Sequence, residues 1–296
     1  MPRRFSQSHV GQVPLQRWCQ GLLLFSALVL SFRTAAAAQE PSGPSPASST
    51  ESDSNALPDA PQSQTTGQAA IKKNDDVTLV NTPAHILKDQ AAIWTSPARV
   101  RDKNLVVLVP LVLATTVAVT TDHQVMSSSK LVDTSLNNYA LTASNGLLGG
   151  FVVAPVAIYG VGYLHHDDHA TETGILAGEA MVDSLVVDEL LKAVTMRERP
   201  TVDGAKGKFF QTNVGLGSSF PSTHSIIAWS SAAVIAHEYG GPLTQIAAYG
   251  LATGVSLTRV LARQHFPSDV VVGSAVGWLV GRYIFRKHSK YFEPED

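Results

Sequence analysis

Apolar positions along the chain recur with a helical period, and strand-like alternation is nearly absent. In "AHILKDQAAIWTSP", Leu87, Ala91 and Trp94 share one helical face, with Ile86 and Ile93 beside it, which predicts a short amphipathic helix ending before Pro97. Six longer apolar runs follow, at about 104–121, 143–164, 172–196, 223–239, 243–262 and 267–286. The fold class read from this pattern is all-α, a compact bundle of about six core helices. Small residues recur four apart at Gly146 and Gly150, at Gly250 and Gly254, and at Gly273, Gly277 and Gly281. Such spacing lets helix backbones approach closely, in lipid or in a dense soluble bundle.

The amino-terminal part has a different texture. Arg3, Arg4 and Arg17 precede "GLLLFSALVLSF", and "RTAAAAQE" then supplies small residues for cleavage after Ala38, so residues 1–38 read as a signal peptide. The pair Arg3 and Arg4 is isolated, which favours the ordinary secretory route over a twin-arginine one. Cys19, the one cysteine, lies inside that signal, so the mature chain has neither thiol chemistry nor a disulfide. Residues 39–75 are rich in Ser, Pro, Gln and Ala and read as a disordered linker, leaving 76–296 as one folded domain. A net charge of −2 gives no reason to expect nucleic acid as a partner, and the sequence carries no signal of oligomeric state.

Charge placement complicates the membrane question. Runs 104–121, 134–164 and 240–258 are uncharged and long enough to span, whereas 172–196 carries Glu179, Asp183, Asp188 and Glu189, and the last run is uncharged only from Val270 to Gly281. If export places residue 39 outside and six runs cross, Arg282, Arg286, Lys287 and Lys290 end outside too, as do Arg99, Arg101 and Lys103, against the positive-inside tendency. The expectation is an exported, membrane-associated bundle with its site facing the periplasm or exterior, the alternative being a soluble periplasmic bundle.

Polar residues gather at three helix ends. In "KAVTMRERP", Lys192 and Arg199 are seven residues apart, so both cations project from one face before Pro200 ends the helix. By itself this is an i, i+4 pair of Asp188 with Lys192 and a solvated arginine near a helix C-terminus. In "SSFPSTHSII", Ser222 before an apolar run is an N-cap, and a helix N-terminus presents amides to an anion. In "TRVLARQHFPSD", Arg259 closes one helix, and Asp269, just inside the next, could hold an imidazole nitrogen of His265. Each island alone is more often structural than catalytic. In an up-and-down bundle, however, all three fall at one end.

Taken in order, the three islands resemble a known signature. Lys192 to Pro200 matches K-x6-RP, "PSTH" matches PSGH, and Thr258 to Asp269 matches SR-x5-H-x3-D, over about residues 100–286. The chain thereby resembles type-2 phosphatidic acid phosphatases, class A acid phosphatases and vanadium haloperoxidases. Thr223 stands where the family has Gly, and Thr258 where it has Ser. If Ser222 caps the helix, Thr223 needs only right-handed backbone angles.

The resemblance implies a metal-independent phosphatase acting on phosphate monoesters or on lipid phosphates and pyrophosphates. Lys192, Arg199 and Arg259 would hold the phosphate with Ser222 and the Thr223 and His224 amides, and His265, oriented by Asp269, would form a phosphohistidine. His224 would act as acid and then base. No cofactor is implied, vanadate being expected as an inhibitor. Two alternatives stand beside this reading: a vanadate-dependent haloperoxidase, with vanadate as cofactor, and a non-catalytic exported helical scaffold. "HHDDH", residues 165–169, has metal-ligand residue types but lies about 30 Å of helix from Lys192, which favours a solvated loop.

Overall fold

The computed structural model describes residues 77–214 and 217–292, so the expected signal and linker lie outside the described residues. These residues contain seven α-helices and no strand: α1 Thr82–Thr95, α2 Asp102–Met126, α3 Thr134–His165, α4 Asp168–Thr195, α5 Thr223–Glu238, α6 Pro242–Leu261 and α7 Pro267–His288. Helices α2 to α7 are the six core helices expected. The largest departures from the apolar runs that announced them are in α2 and α3. Helix α3 starts at Thr134 because the Asp133 carboxylate accepts from the Ser135 and Leu136 amides at 2.8 and 3.1 Å. Helix α2 continues to Met126, which is fully buried.

Neighbouring helices run antiparallel. The Asn137 side chain, near the start of α3, donates to the Leu261 carbonyl at the end of α6 at 2.6 Å. At the opposite end, His169 of early α4 meets Glu238 of late α5 at 3.0 Å. One end of the bundle therefore collects the last turns of α2, α4 and α6 and the first turns of α3, α5 and α7.

Helix α5 is the buried axis, with Ser225 to Val234 sealed from the surface. Its closest neighbour is α7, whose Gly277 faces the Ile226 carbonyl so tightly that an added methyl would overlap it. The Gly273, Gly277 and Gly281 stripe thus works as a small-residue interface. Gly146, Gly150 and Gly250 do not: nothing lies within 4 Å of where their Cβ atoms would be.

Apolar surface is concentrated outside the bundle. Two helical segments, Asn104–Met126 and Thr134–His165, are long and apolar enough to cross a membrane, and only 6% and 17% of their most apolar stretches are buried. The third run expected to qualify, 240–258, forms α6 but is not among them. Helix α1 is inverted relative to a water-facing amphipathic helix. Its His85 and Asp89 are buried, while Leu87 and Trp94 are 75% and 44% exposed.

Candidate active site

The sequence-predicted residues meet at the end where α4, α5, α6 and α7 exchange. Lys192, in the last turn of α4, is buried and lies 2.8 Å from Asp188 and 3.3 Å from Glu189, so the i, i+4 pair forms. Its ammonium also donates to the Thr223 hydroxyl, which in turn donates to Asp188 at 2.7 Å. Thr223 opens α5 without a left-handed φ, as required of a β-branched residue at this position. Its hydroxyl thereby closes a Lys192–Asp188–Thr223 triangle that glycine could not make.

Helix α4 ends in a left-handed Met196, and just beyond it the Arg197 carbonyl accepts from the Ser219 amide at 2.8 Å. Arg199 donates to the carbonyls of Gly217 and Gln264, both at 3.2 Å. Arg259 is buried, donates to Ser144 at 3.1 Å, and keeps a buried Nε–H with no partner. A guanidinium with an unspent donor in a desolvated pocket invites an anion.

His265 precedes α7 and is 2% exposed. Its Nδ1 lies 2.7 Å from the Ser219 carbonyl, which can only accept, so Nδ1 carries the hydrogen and Nε2 keeps its lone pair. Asp269 is not the direct partner expected from the sequence: its nearer oxygen is 3.7 Å from Nδ1. That oxygen instead accepts from the Ser219 hydroxyl and the Phe266 amide, the latter at 2.8 Å. Asp269 thus holds the loop whose carbonyl orients the ring. Burial pushes the His265 pKa down, against an opposing pull from Asp269, and the charges of Arg259 and Arg199 push it further.

His224, in the first turn of α5, lies 3.1 Å from the Asn145 side-chain oxygen. Its pKa is pushed down to about 3 by burial and then by the surrounding Arg259, His265, Lys192 and Arg199. Arg259, Lys192 and Arg199 all lie close enough to His224 to act on its charge, so the three cations converge on one place. Ser222 is fully buried but does not cap α5 with its side chain. Its amide donates to the Asp269 carbonyl at 3.1 Å, and its hydroxyl accepts from Ser225 at 3.2 Å. The Thr223 and His224 amides, in the first helical turn, have no acceptor further back in the helix.

Several site residues were not singled out from sequence. Arg197, 2% exposed, donates to Asp269 at 2.6 Å, to Ser268 at 2.7 Å and to Asp122 at 2.7 Å, with its guanidinium between the Phe209 and Phe266 rings. Asp122 also accepts from the Ser268 amide at 3.0 Å. An acid near the end of an apolar helix was the one available signal, since such a group needs a buried partner. Ser144 and Asn145 arrive from α3 with no motif to announce them.

"HHDDH" forms the α3–α4 turn. His166 is left-handed, Asp167 caps α4 by accepting from Ala170 at 3.0 Å, and His169 pairs with Glu238. None of the five joins a group of potential metal ligands among the described residues.

Residues 173–293 match the profile of the PAP2 superfamily. Over 66 residues the chain is 38% identical to a lipid A 1-phosphatase of Porphyromonas gingivalis, covering 22% of this chain and 15% of that protein. Over 112 residues it is 30% identical to a decaprenylphosphoryl-5-phosphoribose phosphatase of Mycobacterium tuberculosis, covering 37% and 58% respectively. A solved transmembrane PAP2-type phosphatidylglycerolphosphate phosphatase from Bacillus subtilis superposes at a TM-score of 0.44 and 20% identity, over 72% of this chain and 98% of that one. The chain spans 15% and 58% of the lengths of the two curated relatives, less than two thirds of either. All three polar motifs, 192–200, 221–224 and 258–269, lie inside the segment that resembles the PAP2 superfamily.

Proposed function

We propose that this protein is a phosphatase that releases phosphate from a lipid phosphate or pyrophosphate through a phosphohistidine on His265. The observation that carries the reading is the Ser219 carbonyl on Nδ1, which leaves the Nε2 lone pair available beside converging cations. Lys192, Arg199 and Arg259 hold the non-bridging oxygens, with the Thr223 and His224 amides as neutral donors. Nε2 attacks phosphorus, the ester P–O bond breaks, and His224 protonates the departing alkoxide. His224 then takes a proton from water, whose oxygen attacks phosphorus; the P–N bond breaks, and phosphate and His265 are freed.

The low pKa of His224 fits this cycle in one respect. A phosphate dianion neutralises the cations that help hold it down, so substrate binding draws the imidazole back towards protonation. A lipid substrate is favoured by the exposed apolar sides of α2 and α3, which we assign to a bilayer, and by the lipid-linked substrates in the names of both curated relatives. The phosphate group is read by the site, while the bilayer concentrates its lipid carrier.

The test is phosphate release from a lipid phosphate in detergent micelles by the purified full-length chain and by His265→Ala. The variant should keep its helical circular dichroism and lose at least about a thousandfold in kcat, with no phosphoenzyme trapped on alkaline quench, as expected for a nucleophile acting as a unit with its partners. Retention of activity within about tenfold removes the nucleophile assignment. Vanadate should compete with substrate in the intact enzyme.

A further inference from the structure

At the bundle end remote from His265, helices α1, α4 and α7 enclose a polar cluster that the reaction above does not use. Asp89 and Asp183 are fully buried and Glu179 is 1% exposed, with His85 and His288 beside them. The outward oxygens are held by neighbours: Asp183 Oδ1 accepts from Gln90 at 2.7 Å, and Asp89 Oδ1 accepts from Tyr283 at 3.0 Å and from the Lys287 ammonium. Asp89 Oδ2 is held as well, by His288, but three carboxylate oxygens are not. Both Glu179 oxygens and Asp183 Oδ2 are buried with no hydrogen-bond partner. Glu179 Oε1 lies 3.6 Å from His288 Nε2 and Oε2 lies 3.9 Å from His85 Nδ1, while His288 Nε2 is 2.8 Å from Asp89 Oδ2. Glu179 is common to two sets of potential ligands, His85–Glu179–His288 and Asp89–Glu179–Asp183, each with its atoms within 4.8 Å of one another.

Three ionised carboxylates against one ammonium leave two negative charges in a desolvated place when the histidines are neutral, which costs several kcal/mol or more unless compensated. A divalent cation cancels that excess. We propose that the cluster binds one divalent transition-metal ion, centred on Glu179, which clamps α1 against α4 and α7. Mixed imidazole and carboxylate donors suit Mn²⁺ or Zn²⁺ better than the all-oxygen shells of Mg²⁺ and Ca²⁺. Metal–ligand bonds of about 2.1 Å in a tetrahedral shell place ligand atoms about 3.4 Å apart, so the Glu179–histidine separations need to contract by only a few tenths of an ångström. Gln90, Tyr283 and Lys287 then supply the outer contacts that orient the ligating carboxylates.

The site also explains the inversion of α1. Its apolar residues Leu87 and Trp94 face outward while Ile93 packs against the core, so His85, Asp89 and Gln90 carry the polar part of its attachment to the bundle. Along α4, Glu179 is about 20 Å from Lys192, which separates this ion from the phosphate-binding end.

The full-length chain, purified in detergent without chelator, should contain close to one Mn²⁺ or Zn²⁺ per chain by elemental analysis. After treatment with EDTA its thermal midpoint should fall and α1 should become sensitive to protease. Adding Mn²⁺ or Zn²⁺ at a hundredfold over Kd should restore about 5–10 °C. Mg²⁺ should restore little, and Glu179→Gln should abolish the response. A proton shared between Glu179 and Asp89 predicts the reverse: a chain indifferent to EDTA and to both metals, and a Glu179→Gln variant as stable as the parent. That result overturns the proposal, as does a metal response unchanged in Glu179→Gln. Should that variant not fold, stripping and re-addition on the unaltered chain, repeated with Asp183→Asn, gives the same decision.

Discussion

Arg197 connects the site to the fold. Its guanidinium neutralises Asp122 and Asp269 together while stacking between two phenylalanines, and Asp269 in turn holds Ser219, whose carbonyl orients His265. Arg197→Gln leaves two buried carboxylates short of a countercharge and should cost about 3–5 kcal/mol in thermal or denaturant unfolding. Adding Asp122→Asn should recover part of that loss, because it removes one of the stranded charges; a strictly additive double variant would refute the coupling. The two histidines set the acid side of the stability profile. Their native pKa values lie below the unfolded value of about 6.5, so the unfolded chain binds protons first as pH falls. The stability they contribute is complete above about pH 6.5 and declines as pH falls, for His224 down to about 3. His224→Gln should flatten the decline between pH 7 and 5, and inorganic phosphate should flatten it in the parent chain. Of these residues, Lys192, Arg199, Arg259, His224 and His265 were legible because their spacing is regular and their order distinctive. Arg197, Asn145 and Ser219 were not, since each acts through a contact between elements distant in sequence.

Helix α7 shows why the backbone approach matters to the chemistry. Its glycine stripe lets α5 descend onto it, bringing the Ser222 amide to the Asp269 carbonyl and setting the first turn of α5 beside His265. Gly277→Ala places a methyl against the Ile226 carbonyl and should destabilise the bundle by about 1–3 kcal/mol, read as a lower unfolding midpoint. Gly250→Ala, with open space at its Cβ, should not, and the contrast between the two checks that packing is the cause. Four-residue spacing alone could not separate these cases. Spacing puts small residues on one face, whereas the presence of another helix against that face is a tertiary fact. The same holds for α1, whose amphipathic period was readable while the direction of its apolar side was not.

At the scale of the whole molecule, charge and motif lie at opposite ends. Arg99, Arg101, Arg286, Lys287 and Lys290 are exposed at the end where α1 enters and α7 leaves, while His265 and the converging cations occupy the other. If α2 and α3 cross a bilayer, the positive-inside tendency predicts that the basic end is cytoplasmic and the site faces outward. Export of residue 39 by a cleaved signal would reverse this if α2 crosses. Cysteine labelling in a Cys19→Ser background separates the two: in intact cells an impermeant maleimide should modify Ser129→Cys at the site end and spare Arg101→Cys. The opposite pattern would exclude the outward-facing site. The sequence by itself determined the helical class, the order of three polar motifs and the cations and histidines they carry, because helical period and local spacing are properties of the linear chain. Tertiary structure alone decided that Ser219 rather than Asp269 bonds His265, that Arg197 joins the carboxylates of α2 and α7, and that α1 turns its polar face inward. Each of those depends on which surfaces meet, and desolvation rewards a buried polar group only where a partner from elsewhere in the chain arrives to satisfy it.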